Sequence, residues 1–401
     1  MGKIIIAVAT SGIAATLLQG GRTAHSRFQI PLRPTVSTLY KIKKQTELAE
    51  LIRSESAIVW DEAPMANRYT FESVSKSFQD IMDNKIAFRG KRMVFGGDFR
   101  QVLPVVKRGS KAEQIAASIS RSTFWHRMKI IRLQQNMRFA QDIELSQFLL
   151  RIDSIMIPWE GEQSIQMLID SVFLNMINHV NDENYIVHRA IITPKNIDVD
   201  NINQMLILKF PGEEKEYTSW DSVEDDNHNL FQEEFLNSLS PSGLPPHKII
   251  FKVGSPIMLL RNVAPELGLC NGTRLICHDL CRNFIDVEII TGPYKGTRFF
   301  LHRMPLKSED NSGLPFESTR RQFPIRVSFA LTINKAQGQT IPNFGIFLCN
   351  HVFSHGQLYV ALSRRVSQNS TKILVKDENL KRRSGIFTRN VVLKDVLLLT
   401  R

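Results

Sequence analysis

The stretch Ser56-Ala-Ile-Val-Trp-Asp-Glu-Ala-Pro-Met65 decides how the rest of the chain is read. Ile58, Val59 and Trp60 make a short apolar run rich in β-formers, and it ends abruptly in two adjacent carboxylates, Asp61 and Glu62. Buried parallel strands read as continuous apolar sequence, and open α/β sheets bind ligands beyond the carboxyl ends of their strands. Two acids so placed suit nucleotide hydrolysis: one holds Mg²⁺ against the phosphates and the other polarises the attacking water. Ala63 and Pro64 then bend the chain out of the strand. Many strands also end in exposed acids, so the flanks must decide.

Upstream, Lys3–Ala9 reads as a strand and Thr10-Ser-Gly-Ile-Ala-Ala15 as a tight turn opening a helix. Free backbone N–H groups at such a turn suit a phosphate, whether of a nucleotide or of a nucleic-acid backbone. In the polar loop Gly20–Ser26, Arg22, Thr23 and His25 are phosphate donors, although the same composition makes an ordinary surface loop. A helix is expected to begin at Tyr40-Lys-Ile-Lys-Lys44. Downstream, Phe71, Val74, Phe78 and Ile81 recur at helical steps and predict an amphipathic helix against the sheet. Arg92–Pro104 is a strand running into a glycine-containing turn, which brings Asp98, Arg100 and Gln101 to the edge occupied by Asp61 and Glu62. Lys129–Leu133 is expected as a third strand, leading to Gln134-Gln-Asn-Met-Arg138. Strands ending in polar residues with helices between them make a parallel α/β core.

Residues 141–180 read as helical, with Leu145, Phe148, Leu149 and Ile152 on one face. Arg189–Pro194 follows as strand and turn, then a helix from Asn196 to Leu208. Residues 213–234 are acidic, and Pro241-Ser-Gly-Leu-Pro-Pro246 marks a boundary. From Lys248 to Phe323 the pattern becomes short β-runs separated by turns at Asn271-Gly272, Thr291-Gly292 and Lys295-Gly296, the pattern of a small antiparallel barrel or sandwich. Strand-and-helix alternation then returns through Phe323–Ala330, Ile346–Cys349, Gln357–Arg365 and Thr371–Val375.

At 401 residues the chain has material for two or three domains. Its net charge of +12 favours polyanions, chiefly nucleic acid, over acidic small molecules. No run of about eighteen apolar residues is present, so no membrane partner is expected. Met1–Thr10 is read as a buried strand because Thr10, Ser11 and Gly12 interrupt it too soon for a signal peptide. Four cysteines make no disulfide framework, and Cys270, Cys277, His278 and Cys281 lack the paired spacing of a zinc site.

Eight stretches stand in one recognisable order: VATSGIAATLLQGGRTAHS (8–26), VWDEAPM (59–65), VFGGDFRQVLPVV (94–106), LQQNMR (133–138), LPPHKIIFKVGSPIMLLRN (244–262), GLCNGTRL (268–275), ALTINKAQGQT (330–340) and GQLYVALSRR (356–365). On these the chain resembles the Pif-type DNA helicases of superfamily one, relatives of the RecD-like enzymes, and most of all the branch fused to Helitron transposons. The resemblance implies an α/β fold of two RecA-like P-loop NTPase domains. The first would span 1–131 and the second 132–247 and 324–401, with an SH3-like β module inserted at 248–323.

The same resemblance implies roles. Asp61 would ligate Mg²⁺, Glu62 would activate the water attacking the γ-phosphate of ATP, and Gln101 would sense that phosphate. Arg138 and Arg364 would be arginine fingers, apt because guanidinium is always charged and bidentate. Lys335, Gln337 and Gly338 would line the nucleotide, while Thr10, Ser11, Thr23, His25, Thr332 and Asn334 would touch the phosphates of single-stranded DNA. Implied partners are single-stranded and forked DNA, with a monomer moving 5′ to 3′ in nuclear repair, recombination and telomere maintenance, or in Helitron transposition. One family feature, a G-x-x-x-x-G-K-[ST] phosphate loop, occurs nowhere in the 401 residues. The polypeptide is therefore expected to hydrolyse ATP poorly, and the competing expectation is a nucleic-acid-binding remnant without a motor.

Overall fold

The structure is a computed structural model that describes residues 3–31, 34–35, 42–83, 86–106, 109–133, 156–157, 159–179, 182–223, 231–239, 241, 244–308, 316–364, 371–376, 388 and 390–398. Near the N-terminus, β1 (Ile5–Ala9), β2 (Arg22–Thr23), β3 (Ala57–Asp61) and β4 (Arg92–Phe95) form a parallel sheet in the order β2-β1-β3-β4. Ile6, Val8, Ile58 and Trp60 lie on its buried face. Against them packs the helix Arg68–Ile81, whose Phe71, Val74, Phe78 and Ile81 are all buried, as their spacing predicts. Each buried phenylalanine contributes about 2 kcal/mol of transfer free energy. Asn67 starts this helix by accepting the Tyr69 N–H through its side chain at 3.0 Å. Trp60 is fully buried, and its indole N–H finds a partner in the Thr10 hydroxyl at 3.0 Å.

Two expectations need correction here. Lys129–Leu133 carries no strand; Ile131 and Leu133 are 75% and 94% exposed. An apolar run becomes a strand only where a neighbour offers free backbone groups and a face to pack on, and β4 pairs with β3 alone among the described strands. The helix expected from Tyr40 starts only at Glu47 and runs to Ser54, because residues 42–46 are coil and turn and Thr46, whose hydroxyl accepts the Ala49 N–H, sets the start. The expected helical face of Leu145, Phe148, Leu149 and Ile152 lies outside the described residues.

The second sheet opens with β5 (Met156–Ile157) and β6 (Arg189–Thr193). The chain then builds β7 (Glu214–Thr218), β8 (Trp220–Val223), β9 (Lys248–Lys252), β10 (Pro256–Leu259), β11 (Arg274–Leu280), β12 (Phe284–Ile289), β13 (Arg298–His302), β14 (Met304–Lys307), β15 (Ser318–Gln322) and β16 (Ile325–Val327). It returns with β17 (Ala330–Thr332), β18 (Asn343–Leu348) and β19 (Thr371–Val375). The second sheet is parallel throughout, in the order β17-β6-β18-β19-β5. Helices Glu162–Val172 and Asn196–Lys209 cover one face, and Ile333–Ala336 and Gln357–Ser363 lie on the other.

The intervening strands are antiparallel, with β13-β12-β11-β10-β16 as the main sheet. This β region draws strands from outside 248–323: β7 pairs with β9, β8 with β15, and β16 with β10. The acidic segment thus supplies two strands of the module. Its apolar alternation is weak because β7 and β8 are edge strands with largely exposed residues.

Two buried cations bolt the module to the second sheet. Arg274 donates to the carbonyls of Val187 at 3.0 Å and Arg189 at 3.2 Å, and Lys252 donates to Phe210 O at 2.8 Å. The Val187 and Phe210 carbonyls lie at the carboxyl ends of helices Glu183–Val187 and Asn196–Lys209, where a cation satisfies groups no helix can pair internally. No helix among the described residues is long and apolar enough to cross a membrane.

Candidate active site between the two sheets

Parallel strands deliver their carboxyl ends to one edge, so β1, β3 and β4 bring Thr10, Asp61–Glu62 and Gly96–Asp98 together. The turn out of β3 is strained: Glu62 sits at φ +51° with a side chain, a conformation held for a reason other than stability. Its N–H is taken by Asp61 Oδ1 at 2.8 Å, leaving the other Asp61 oxygen for a cation. Gly97 is obligatory beside it. At φ +144° a Cβ there would lie 2.3 Å from Pro64 Cδ, so only glycine lets the exit of β4 lie against the Asp61–Pro64 turn.

The second domain closes over this edge. Gln337, 3% exposed, donates through Nε2 to Glu62 Oε2 at 3.3 Å and to Gln101 Oε1 at 3.0 Å. Its own carbonyl oxygen is buried and has no hydrogen-bond partner among the described residues. Arg364, 3% exposed, donates to Val360 O at 3.2 Å and Gln339 O at 3.1 Å, and its charge reaches Glu62. Burial pushes the Glu62 carboxyl above its ordinary range, and the neighbouring Asp61 adds to this; Gln337 and Arg364 pull the other way. A carboxylate raised in this way is a better proton acceptor than an ordinary one. For Asp98 burial works upward, but hydrogen bonds and charge from Arg100 outweigh it and hold the carboxyl below its usual range.

The donor set fits Mg²⁺ and a triphosphate. Mg²⁺ keeps several waters and takes only one or two carboxylates with phosphate oxygens, so a two-acid site suffices. Asp61 would hold the ion, which when bound neutralises phosphate charge. Glu62 would orient and deprotonate water, and Gln101, Gln337 and Arg364 would face the terminal phosphate. Among the described residues no cluster of three metal-ligating side chains exists, so no all-protein metal cage is part of this site.

The structure brings Asp61, Glu62, Gln101, Gln337 and Arg364 together, with Thr10 on the same edge, its N–H donating to Asp61 O at 3.0 Å. Arg138 lies outside the described residues. Lys335, named as nucleotide-lining, instead turns to the β module and donates to Asn271 Oδ1 at 2.5 Å, beside Arg326 and Arg261. The cause is local: Lys335 and Gln337 flank Ala336 at the end of a one-turn helix and leave it in different directions. Gly338, at φ +79°, makes the turn that follows, near Ile13 of the first domain.

Several expected nucleic-acid residues already serve the fold. Ser11 caps Gly12–Thr16, Thr23 caps Ala24–Phe28 and Thr332 caps Ile333–Ala336. Asn334 accepts from Gln357 Nε2 at 3.2 Å, and Thr10 accepts from Trp60. His25 is pushed below its ordinary value by burial, so it is neutral at physiological pH and offers a hydrogen bond without charge. Tyr359 was missed by sequence reasoning: it bonds Asp98 and lies under the Arg100 guanidinium at 5.1 Å. A tyrosine on an apolar helix face carries no signal of that partnership.

Residues 1–153 match the profile of the PIF1-like helicases, and residues 234–280 match the 2B domain of DNA helicase Pif1. Over these residues the chain is similar to the PIF1-like helicases. The chain is 28% identical to ATP-dependent DNA helicase Pif1 of Campylobacter jejuni, over 92% of its own length and 82% of that protein. It is 25% identical to the PIF1 helicase of Danio rerio over 93% of its length, but spans only 54% of that relative. In fold it is similar to Bacteroides Pif1 in complex with ADP-AlF3 and ssDNA, with TM-score 0.69 and 22% identity, covering all of this chain and 86% of that one. Candida albicans Pif1 is similar at TM-score 0.63 and 20% identity, covering 98% and 87%. The two parallel domains are therefore RecA-like, with the β module inserted in the second.

Proposed function

We propose that this chain is the body of an ATP- and Mg²⁺-dependent DNA helicase that moves along a single strand and unwinds the duplex ahead. The observation that carries this reading is Gln337, which binds Glu62 and Gln101 from the opposite domain. A group of one domain that touches the hydrolytic carboxylate of the other gives hydrolysis a link to domain motion. The +12 charge supplies the attraction for a phosphate backbone. Relatives named as ATP-dependent DNA helicases, and related structures holding single-stranded or forked DNA, support the substrate. Movement 5′ to 3′, action as a monomer, a nuclear setting, and roles in repair, recombination, telomere maintenance or Helitron transposition belong to the same proposal by resemblance.

The test is ATP hydrolysis by the 401-residue chain with and without single-stranded DNA, alongside DNA affinity at two salt concentrations. Strand-stimulated turnover that disappears in Glu62→Gln supports the motor. Salt-sensitive binding with no turnover supports the second reading, a nucleic-acid-binding remnant. Binding indifferent to salt overturns both.

A further inference from the structure

The turn Asp98–Gln101 belongs to the first domain by sequence, yet the second domain grips it at every residue. Asp98 bonds Tyr359, Arg100 lies over the Tyr359 ring, and Gln101 accepts from Gln337. Phe99 O accepts from His355 Nε2 at 2.8 Å. The next residue, Val102, is buried in the second domain's core with Ala336 and Val360. Gly356 follows His355 at φ +76°, and a Cβ there would lie 2.4 Å from the Gln101 carbonyl carbon and oxygen, so the two backbones touch.

His355 is 1% exposed and bonded at both ring nitrogens. Its Nδ1 accepts the Leu393 N–H at 2.9 Å, which requires a lone pair there and puts the proton on Nε2, the atom facing Phe99 O. A neutral imidazole in this tautomer is a rigid strut, donating at one end and accepting at the other. Leu393 joins Val396 in an apolar cluster with Leu103, flanked by Phe99 and Ile115, so the C-terminal segment is seated on the first domain beside the same turn.

We propose that His355 is a positioning residue for Gln101: it sets where the Gln101 turn stands against the second domain and transmits the seating of the C-terminal segment to it. This rests on the helicase reading for its effect on turnover, though not for its effect on geometry. Leucine at 355 keeps bulk and loses both bonds. Glutamine reaches Phe99 O with a donor, whereas asparagine is too short to do so.

The experiment is amide hydrogen exchange on the full chain and on His355→Leu, His355→Gln, His355→Asn and Val396→Ala, with strand-stimulated ATP turnover measured on the same proteins. Exchange across 98–103 is expected to rise about tenfold in His355→Leu and His355→Asn, to stay near wild type in His355→Gln, and to be unchanged across β3. Val396→Ala is expected to loosen 98–103 in the wild-type background but to add nothing in His355→Leu, since both act through one path. Where turnover is present, kcat falls about tenfold in His355→Leu with KM for ATP within about twofold. Unchanged exchange at 98–103, a rise spread over the whole first sheet, or additive effects of the two changes overturn the strut. Should His355→Leu fail to fold, the comparison of His355→Gln with His355→Asn decides the same question. Turnover absent from every protein, wild type included, counts against the helicase reading alone.

Discussion

Gln337 and Glu62 come from sequence positions 275 residues apart and meet at 3.3 Å, a side-chain amide of one RecA-like domain donating to a carboxylate of the other. The acid that this bond touches is half-buried, strained in its backbone and raised in pKa. Its partner reaches Gln101 with the same nitrogen. Domain closure is thus recorded at the proton-accepting group itself.

Glu62→Gln should stabilise the fold while removing turnover. Because the folded pKa of Glu62 lies above its ordinary value, the stability it contributes is full below the unfolded pKa and is lost as pH rises through the folded one. The gain of the glutamine variant over wild type should therefore be absent near pH 4 and grow toward neutrality, reaching about 2 °C in Tm. Thermal melts at several pH values check the trend. Turnover should fall at least about 100-fold.

Lys335 is held down to about 8 by burial first, then by Arg326 and Arg261. A phosphate brought near it favours the charged form, so binding single-stranded DNA should draw a proton from solution above pH 8 and none at pH 6.5. Calorimetry in buffers of different ionisation enthalpy measures that uptake. Lys335→Arg, which stays charged, should abolish it. In the free protein the depressed value means that stability rises as pH goes from about 8 toward 10.5, where the unfolded chain still holds its proton.

Arg274→Met should unhinge the β module. The guanidinium is fully buried and serves carbonyls of Val187, Ile186 and Arg189, which methionine fills in volume but cannot satisfy. A loss of about 3 kcal/mol is expected in urea denaturation, with amide exchange rising across 183–190 before it rises in the first sheet.

Gly97→Ala should damage the site without touching a catalytic group. Its Cβ would enter Pro64, and its φ of +144° is unfavourable for alanine. The expected cost is about 2 kcal/mol, with weakened Mg²⁺ dependence of nucleotide binding as Asp61 is displaced. Nucleotide titrations with and without Mg²⁺ test it, and unaltered binding would show that the turn tolerates the shift.

Local pattern alone identified the strands that end at Asp61 and Phe95, the helix of Phe71, Val74, Phe78 and Ile81, and the β-runs from Lys248 to Leu301. In each, burial follows a period the chain can show: continuous apolar residues for a strand covered on its face, and steps of three and four for a helix. Lys129–Leu133 has the same apolar character and is not a strand, because pairing needs a neighbour that composition does not reveal. The acidic strands β7 and β8 escaped notice for the converse reason: they are paired, but face water.

For the site, the sequence by itself determined the carboxylates and their edge, since strand ends in a parallel sheet share one side whatever the loops do. Only the tertiary structure decided which second-domain groups answer them. Lys335 and Gln337 are neighbours in one motif, yet one turns to Asn271 and the other to Glu62. His355 and Tyr359 carry no local mark of the turn they hold. A side chain's partner across two domains depends on how two separately folded cores are seated, and that is set by contacts between residues hundreds of positions apart, which no short stretch of chain encodes.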